Sequence, residues 1–253
     1  MQLDDINILG VRIAGVNLSR ARLFIEDCIK QQKKTYVCVA PVATIVDCRQ
    51  DKEYLKIVNE AGMVTPDGMP LVWLAKMKGH SQVERTYGPD LMLELCRQQG
   101  LRHFFYGAST TVLEQLQTRL KACYPTINIA GYHAPEFSRE VAVASPEVID
   151  KINASQPDII WVALGSPKQD FWMHRHRPFL QAPVLIGVGA AFDFLAGTKP
   201  QAPRWMQYAG LEWLFRLLCE PRRLWKRYLI GNTKFLYYLC CSAFKKDSVC
   251  KVD

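Results

Sequence analysis

Four short turns hold most of the side chains and glycines in this sequence that could do chemistry. They are Thr65-Pro-Asp-Gly68, Tyr106-Gly-Ala-Ser-Thr110, Gly165-Ser-Pro-Lys-Gln169 and Gly187-Val-Gly-Ala-Ala-Phe-Asp193. Each directly follows an apolar run. Where such a turn opens a helix, free backbone N–H groups and the positive end of the dipole favour a phosphate, so a diphosphate leaving group would suit this set. Taken singly, each turn also has a plain structural explanation. Pro-Asp-Gly is a common turn in which the carboxylate bonds its own backbone, Gln169 closes a capping box, and Asp193 caps the segment after Phe192. Gly187-Val-Gly189 lacks the full six-residue dinucleotide fingerprint, so NAD binding is not indicated.

The elements that would carry these turns are legible from hydrophobic patterning. Six apolar runs, Tyr36–Ala40, Met63–Thr65, His103–Tyr106, Ile127–Gly131, Ile159–Leu164 and Val184–Val188, alternate with helical patterns. That alternation predicts an α/β fold: an open, mostly parallel sheet of about six strands with helices on both faces. Ligands of such sheets sit outside the carboxyl ends of the strands, which is where the four turns fall. Ser145-Pro146 reads as an N-cap and first helical position, and Ser166, Pro167 and Gln169 as the same start with a capping box. Ile6–Ile13, with Gly10 near its centre, is expected to be an extended ribbon added to the sheet.

Charge divides the chain. Residues 204–253 hold ten Lys or Arg against four Asp or Glu, so +6 of the formal +8 lies there. Pro221–Lys246 has seven cations and no acid. On a helical wheel Arg222, Arg223, Lys226 and Arg227 share one arc, and Leu224, Trp225, Tyr228 and Leu229 the opposite one, the pattern of an interfacial helix. The expected division is an α/β catalytic domain over 1–200 and a basic amphipathic helical appendage over 201–253 that associates with an anionic membrane surface. Its longest apolar run, Phe235–Cys241, is far short of the ~20 residues that span a bilayer. No zinc-finger, homeodomain or related motif is present, so nucleic acid is not an expected partner. The start Met-Gln-Leu-Asp-Asp has no basic or apolar leader character. The nine cysteines are therefore expected to stay reduced in a cytoplasm, the chain lying peripherally on the inner face of a bacterial plasma membrane.

In the order and spacing of its motifs the chain resembles the WecG/TagA/CpsF family of bacterial glycosyltransferases. The resemblance is carried by Thr65-Pro-Asp-Gly-Met69, Gly165-Ser-Pro-Lys-Gln-Asp170 and Gly187-Val-Gly-Ala-Ala-Phe-Asp-Phe-Leu-Ala-Gly197. The last runs on into Ala202-Pro-Arg-Trp-Met206, Gly210-Leu-Glu-Trp-Leu-Phe-Arg-Leu-Leu218 and Glu220-Pro-Arg-Arg223. It implies an enzyme that moves a sugar, with inversion, from a UDP-sugar onto a polyprenyl-diphosphate-linked saccharide. It further implies that Asp67 is the general base, that Gln169 and the Gly165, Ser166, Lys168 helix start contact the diphosphate and donor sugar, and that Asp193 lies near the nucleoside with Gly189 beside it. Thr65 and Gly68 flank the base, and Arg85 and Asp90 belong to a block lining the pocket. Arg216 and Arg223, with Arg222 beside the latter, are the arginines expected to reach the diphosphate.

No Asp-x-Asp pair occurs, so no metal or other cofactor is expected, and protein cations must neutralise the leaving group. One departure stands out. Where many members carry Asn and, two positions on, Glu, this chain has Val42 and Thr44, which bears on the identity of the sugar more than on the reaction. Two alternatives remain: a non-catalytic, membrane-docked scaffold of a polysaccharide-assembly complex, and a soluble nucleotide-binding enzyme whose tail engages nucleic acid. Homo-oligomerisation is left open.

Overall fold

The apolar runs become strands because both faces of the sheet are covered. In chain order the elements are β1 (Asp5–Ile8), β2 (Val11–Ala14), α1 (Leu18–Lys30), β3 (Thr35–Ala40), α2 (Val42–Gln50), α3 (Lys52–Glu60), β4 (Met63–Pro66), α4 (Met69–Met77), α5 (Gly88–Cys96), β5 (Arg102–Gly107), α6 (Thr110–Cys123) and β6 (Asn128–His133). They continue with α7 (Pro146–Ala154), β7 (Ile159–Ala163), α8 (Lys168–His176), β8 (Val184–Gly187), α9 (Ala191–Ala196), α10 (Arg204–Tyr208), α11 (Glu212–Cys219), α12 (Pro221–Trp225), a π-helical turn (Lys226–Ile230) and α13 (Gly231–Val249). The computed structural model describes residues 1–136 and 143–249, with side chains as far as Ser242. Lys245 and Lys246 of the cationic run thus lie beyond the described side chains.

The main sheet has six strands in the order β4-β3-β8-β7-β5-β6, all pairings parallel. Alternate side chains feed two cores. Tyr36, Cys38, Tyr106, Ile160 and Leu185 meet the hairpin, α2, α3, α4, α7, α8 and Phe235 of α13. Val37, Phe105, Trp161 and Ile186 meet α1, α5, α6 and α9. Burial on both faces is what turns these strands into uninterrupted apolar runs.

The N-terminal ribbon differs from expectation. β1 and β2 form their own two-stranded antiparallel sheet, in register from Asp5↔Ala14 to Ile8↔Val11, and neither pairs with the parallel sheet. Leu9 and Gly10, both with positive φ (53° and 98°), turn the chain back on itself. Ile6, Ile8, Val11 and Ile13 then seal a core face from outside.

The topology also fixes where a ligand can sit. β3 is followed by α2 on one face and its neighbour β8 by α9 on the other, so the backbone parts there and leaves a crevice at their carboxyl ends. A Cβ on Gly187 would come within 2.8 Å of the side-chain ends of both Gln169 and Met173 of α8, so any larger residue here would push Gln169 out of its place.

Candidate active site

A cleft of about 1080 Å³ opens over the carboxyl ends of β3, β4, β7 and β8 and is roofed by α11, α12 and α13. Of the residues singled out from sequence, Asp67, Gly68, Arg85, Gly165, Ser166, Lys168, Gln169, Gly189, Asp193, Arg216 and Arg223 all line it. The volume lies just above the ~300–1,000 Å³ of ordinary small-molecule sites, room for two substrates to meet.

Asp67 is held from both sides of its peptide. Its N–H donates to Ala40 O at 3.2 Å, and its carbonyl accepts from Arg85 Nε. The segment before α5 runs beside the end of β4, with Thr86 N donating to Pro66 O at 2.9 Å. Thr65 belongs to that clamp rather than to the cleft: it is fully buried and its hydroxyl donates to Thr86 O at 3.3 Å. Burial pushes the Asp67 carboxyl up to about 6, against the opposing pull of Arg85; Glu212 raises it further and Arg216 lowers it. It is therefore a carboxylate at neutral pH with an unusually high proton affinity, suited to taking a proton from a hydroxyl.

Across the crevice, the helix start over Gly165–Gln169 departs from a capping box. α8 begins at Lys168 with Pro167 as its cap, after a cis Ser166–Pro167 peptide, and no side chain caps it. The Gln169 amide instead donates to Ser166 Oγ at 3.2 Å, while its carbonyl oxygen is buried and has no partner. Gln169 is only 2% exposed, so that oxygen is a fixed acceptor beside Gly189. Beneath it Asp170 accepts from Tyr54 Oη at 2.6 Å. Burial raises the Asp170 carboxyl, the Tyr54, Cys38 and Ser166 side chains partly offsetting it.

Asp193 lines the cleft and also ties off the end of α9. Its carboxylate lies 3.6 Å from Lys199 Nζ and accepts from Thr198 Oγ1 at 3.3 Å, and its carbonyl accepts from Thr198 N at 3.0 Å. Lys199 in turn reaches Glu220, which pairs with Arg223.

Besides Thr65, two expected cleft residues lie elsewhere. Asp90, on the first turn of α5, is not part of the lining; both its oxygens accept from Arg204 at 2.9 Å, which pins α10 to the body. Arg222 is exposed on α12 and is not part of the cleft lining, which its neighbour Arg223 joins. The two expected arcs are likewise redistributed: Arg227 and Tyr228 line the cleft, Leu224 is buried, and Arg222 and Lys226 are exposed with Trp225 and Leu229. Val42 stands in the cleft wall, while Thr44 is buried with its hydroxyl unpartnered.

Sequence reasoning missed Glu212. It is the one carboxylate between residues 205 and 219, and it pairs with Arg85 and accepts from Tyr87 Oη at 3.2 Å. Arg85 also donates to Gln207 Oε1 at 3.3 Å. Arg216, from the same helix, lies over the Phe194 ring at 5.4 Å with its Nε buried and unpartnered. Arg216, Arg223 and Arg227 thus converge on the roof of the cleft.

The rim thus sets a half-buried carboxylate, Asp67, in a cleft with three arginines on its roof. Residues 6–248 match the model of the Glycosyl transferase WecG/TagA/CpsF family, and the chain belongs to that family. It is a glycosyltransferase. Among similar proteins, the N-acetylglucosaminyldiphosphoundecaprenol N-acetyl-beta-D-mannosaminyltransferase of Bacillus spizizenii is 35% identical over 204 residues, 79% of this chain and 77% of the relative. The proteins of the same name from Bacillus subtilis (32% over 183 residues; 71% and 69%) and Staphylococcus aureus (30% over 184; 72% and 68%) are similar over much the same span.

Proposed function

We propose that the chain transfers a sugar, with inversion and without a metal ion, from a UDP-sugar to a saccharide carried on a polyprenyl diphosphate. The relatives' names point to an N-acetylhexosamine donor and an N-acetylglucosamine acceptor as the first pair to try. The observation that carries the reading is Asp67: a carboxylate raised to about 6, facing a cleft in which arginines gather on the opposite wall.

In the proposed mechanism Asp67 takes the proton of the acceptor hydroxyl as that oxygen attacks the anomeric carbon from the face opposite the UDP. The bond to UDP breaks as the new C–O bond forms, which inverts the centre. Arg216 and Arg223, with the N–H groups at the start of α8, meet the charge growing on the diphosphate. Gln169 orients the donor through its unpartnered carbonyl oxygen. In this reading the arginines supply the charge that neutralises the leaving group.

Residues 1–200 act in this reading as the catalytic domain and 201–253 as the appendage that brings the enzyme to the membrane. No helix among the described residues is long and apolar enough to cross one. Exposed Trp205, Tyr208, Leu218, Trp225, Leu229, Leu236 and Tyr237, with Arg222 and Lys226, support a surface that rests on anionic headgroups at the cytoplasmic face.

The test is UDP release from a panel of UDP-hexoses, N-acetylhexosamines and uronic acids, with and without a short polyprenyl-diphosphate N-acetylglucosamine, in excess EDTA. Acceptor-dependent release with an inverted product is expected. No release from any donor by folded protein would favour a scaffold. Loss of activity in EDTA with recovery on adding manganese would overturn metal independence.

A further inference from the structure

Arg85 is a single cation placed between two carboxylates, one from each half of the cleft. Its Nε donates to the Asp67 carbonyl, its Nη1 to Gln207, and its guanidinium lies 4.0 Å over the Tyr87 ring. The remaining nitrogen, Nη2, faces both Glu212 Oε2, in close contact, and Asp67 Oδ1, at 3.4 Å. At 3.4 Å the Asp67 contact is a long ion pair, so the cation is shared between the two carboxylates with its closer contact to Glu212. The other Glu212 oxygen is occupied by Tyr87 Oη, and only 13% of the Glu212 side chain is exposed, so this carboxylate is fixed in place.

We propose that Glu212 is a positioning residue: docking of α11 sets its carboxylate on Arg85, keeps that guanidinium from closing further on the Asp67 carboxylate, and leaves Asp67 better able to receive the acceptor's proton. This rests on the reading of Asp67 as base. It means that the base is completed only when the appendage is seated, since Glu212 arrives on the same helix as Arg216. An enzyme with its roof displaced would hold Arg85 against Asp67 and be poorly basic.

The groups facing Asp67 are Arg85 and Tyr87 from the segment beside β4, Glu212 and Arg216 from α11, and Tyr228 from the π-helical turn. With Glu212 neutral, two arginines face one carboxylate with no second anion between them. Arg85 then closes on Asp67, and the carboxyl loses its proton at lower pH, in the direction that Glu212 opposes in the intact site.

The experiment is the pH dependence of kcat/KM for wild type, Glu212→Gln, Glu212→Asp and Tyr87→Phe, with a polyprenyl-diphosphate acceptor in detergent. The wild-type acid limb lies near pH 6. In Glu212→Gln it moves down by about one pH unit and the plateau kcat falls about tenfold, while the donor KM changes less than about twofold. Glu212→Asp restores part of both, and Tyr87→Phe, which frees one Glu212 oxygen, gives a smaller shift in the same direction. An acid limb that stays in place in Glu212→Gln and Tyr87→Phe overturns the proposal even if kcat falls, because a structural role would do only that. An acid limb missing from wild type, or kept by Asp67→Asn, instead removes Asp67 as base, and the role of Glu212 with it.

Discussion

The strand-end rim and the helical appendage supply opposite walls of one cleft, yet they are built differently. On the rim, Thr65 and Gln169 are 0% and 2% exposed, and Asp67 is pinned through its own peptide. In the appendage α11 buries no residue fully, and over described residues 201–242 only Ala202, Gln207, Leu224 and Phe235 are buried. Partly buried Tyr238 and Leu239 also pack against the core, and polar ties join Arg204 to Asp90, Glu212 to Arg85 and Lys199 to Glu220. The rim therefore shares the stability of the sheet, whereas the appendage can open at far lower cost. In the proposed mechanism this puts the base on the rigid wall and the leaving-group cations on the movable one, which would let substrates enter before the site is complete.

Removing residues 221–253 breaks this comparison most severely. The sheet loses none of its strands, and the burial given up is that of Leu224 and Phe235, worth about 1.5–3 kcal/mol each, together with the partial burial of Tyr238 and Leu239 against the core. Circular dichroism should show a folded body, and sugar transfer should fall by more than about 100-fold with the loss of Arg223. Full activity would mean the roof plays no part. Arg216→Ala should lower kcat/KM by about 100-fold without moving the melting temperature, Arg216→Lys recovering a fraction.

Smaller effects test how the wall is held. Asp90→Asn cuts a partly exposed ion pair, worth about 0–1 kcal/mol. Turnover should drop less than about fivefold, and hydrogen exchange should quicken in α10 and α11 but not in β3 or β8. Arg222→Ala, on the outer side of α12, should leave turnover in detergent unchanged and weaken pelleting with anionic vesicles about fivefold, close to the ~1 kcal/mol of one cation at a charged surface. Loss of turnover in that variant would return Arg222 to the cleft.

What could be read in the sequence tracks the same division. Strands such as β3, β7 and β8 were legible because two-sided burial writes itself as continuous apolar runs, whereas edge strand β6 has no fully buried residue; the rim residues were legible because topology sends strand-end turns to one edge. The separate hairpin was not legible: Gly10 announces a turn, but whether the ribbon joins the sheet depends on the edge of β4. The helix start at Ser166 was misread as a capping box because the Ser166 hydroxyl accepts from the Gln169 side chain rather than a backbone N–H. Asp90 and Glu212 were assigned to the pocket or passed over because their partners Arg204 and Arg85 lie more than a hundred residues away. Such ion pairs carry no local pattern. The wheel over residues 222–229 separated cations from apolar groups but could not say which flank meets the body, and the structure turns Arg223 and Leu224 inward together.

The most direct test of the whole is Asp67→Asn, measured as kcat/KM from pH 5 to 8 beside UDP affinity by calorimetry. In wild type the rate should climb as pH rises through about 6, where the carboxyl gives up its proton, and level off above. In the variant it should be lower by about 100- to 10,000-fold and lack that limb, with UDP bound as before. Near-wild-type turnover in Asp67→Asn would contradict the account.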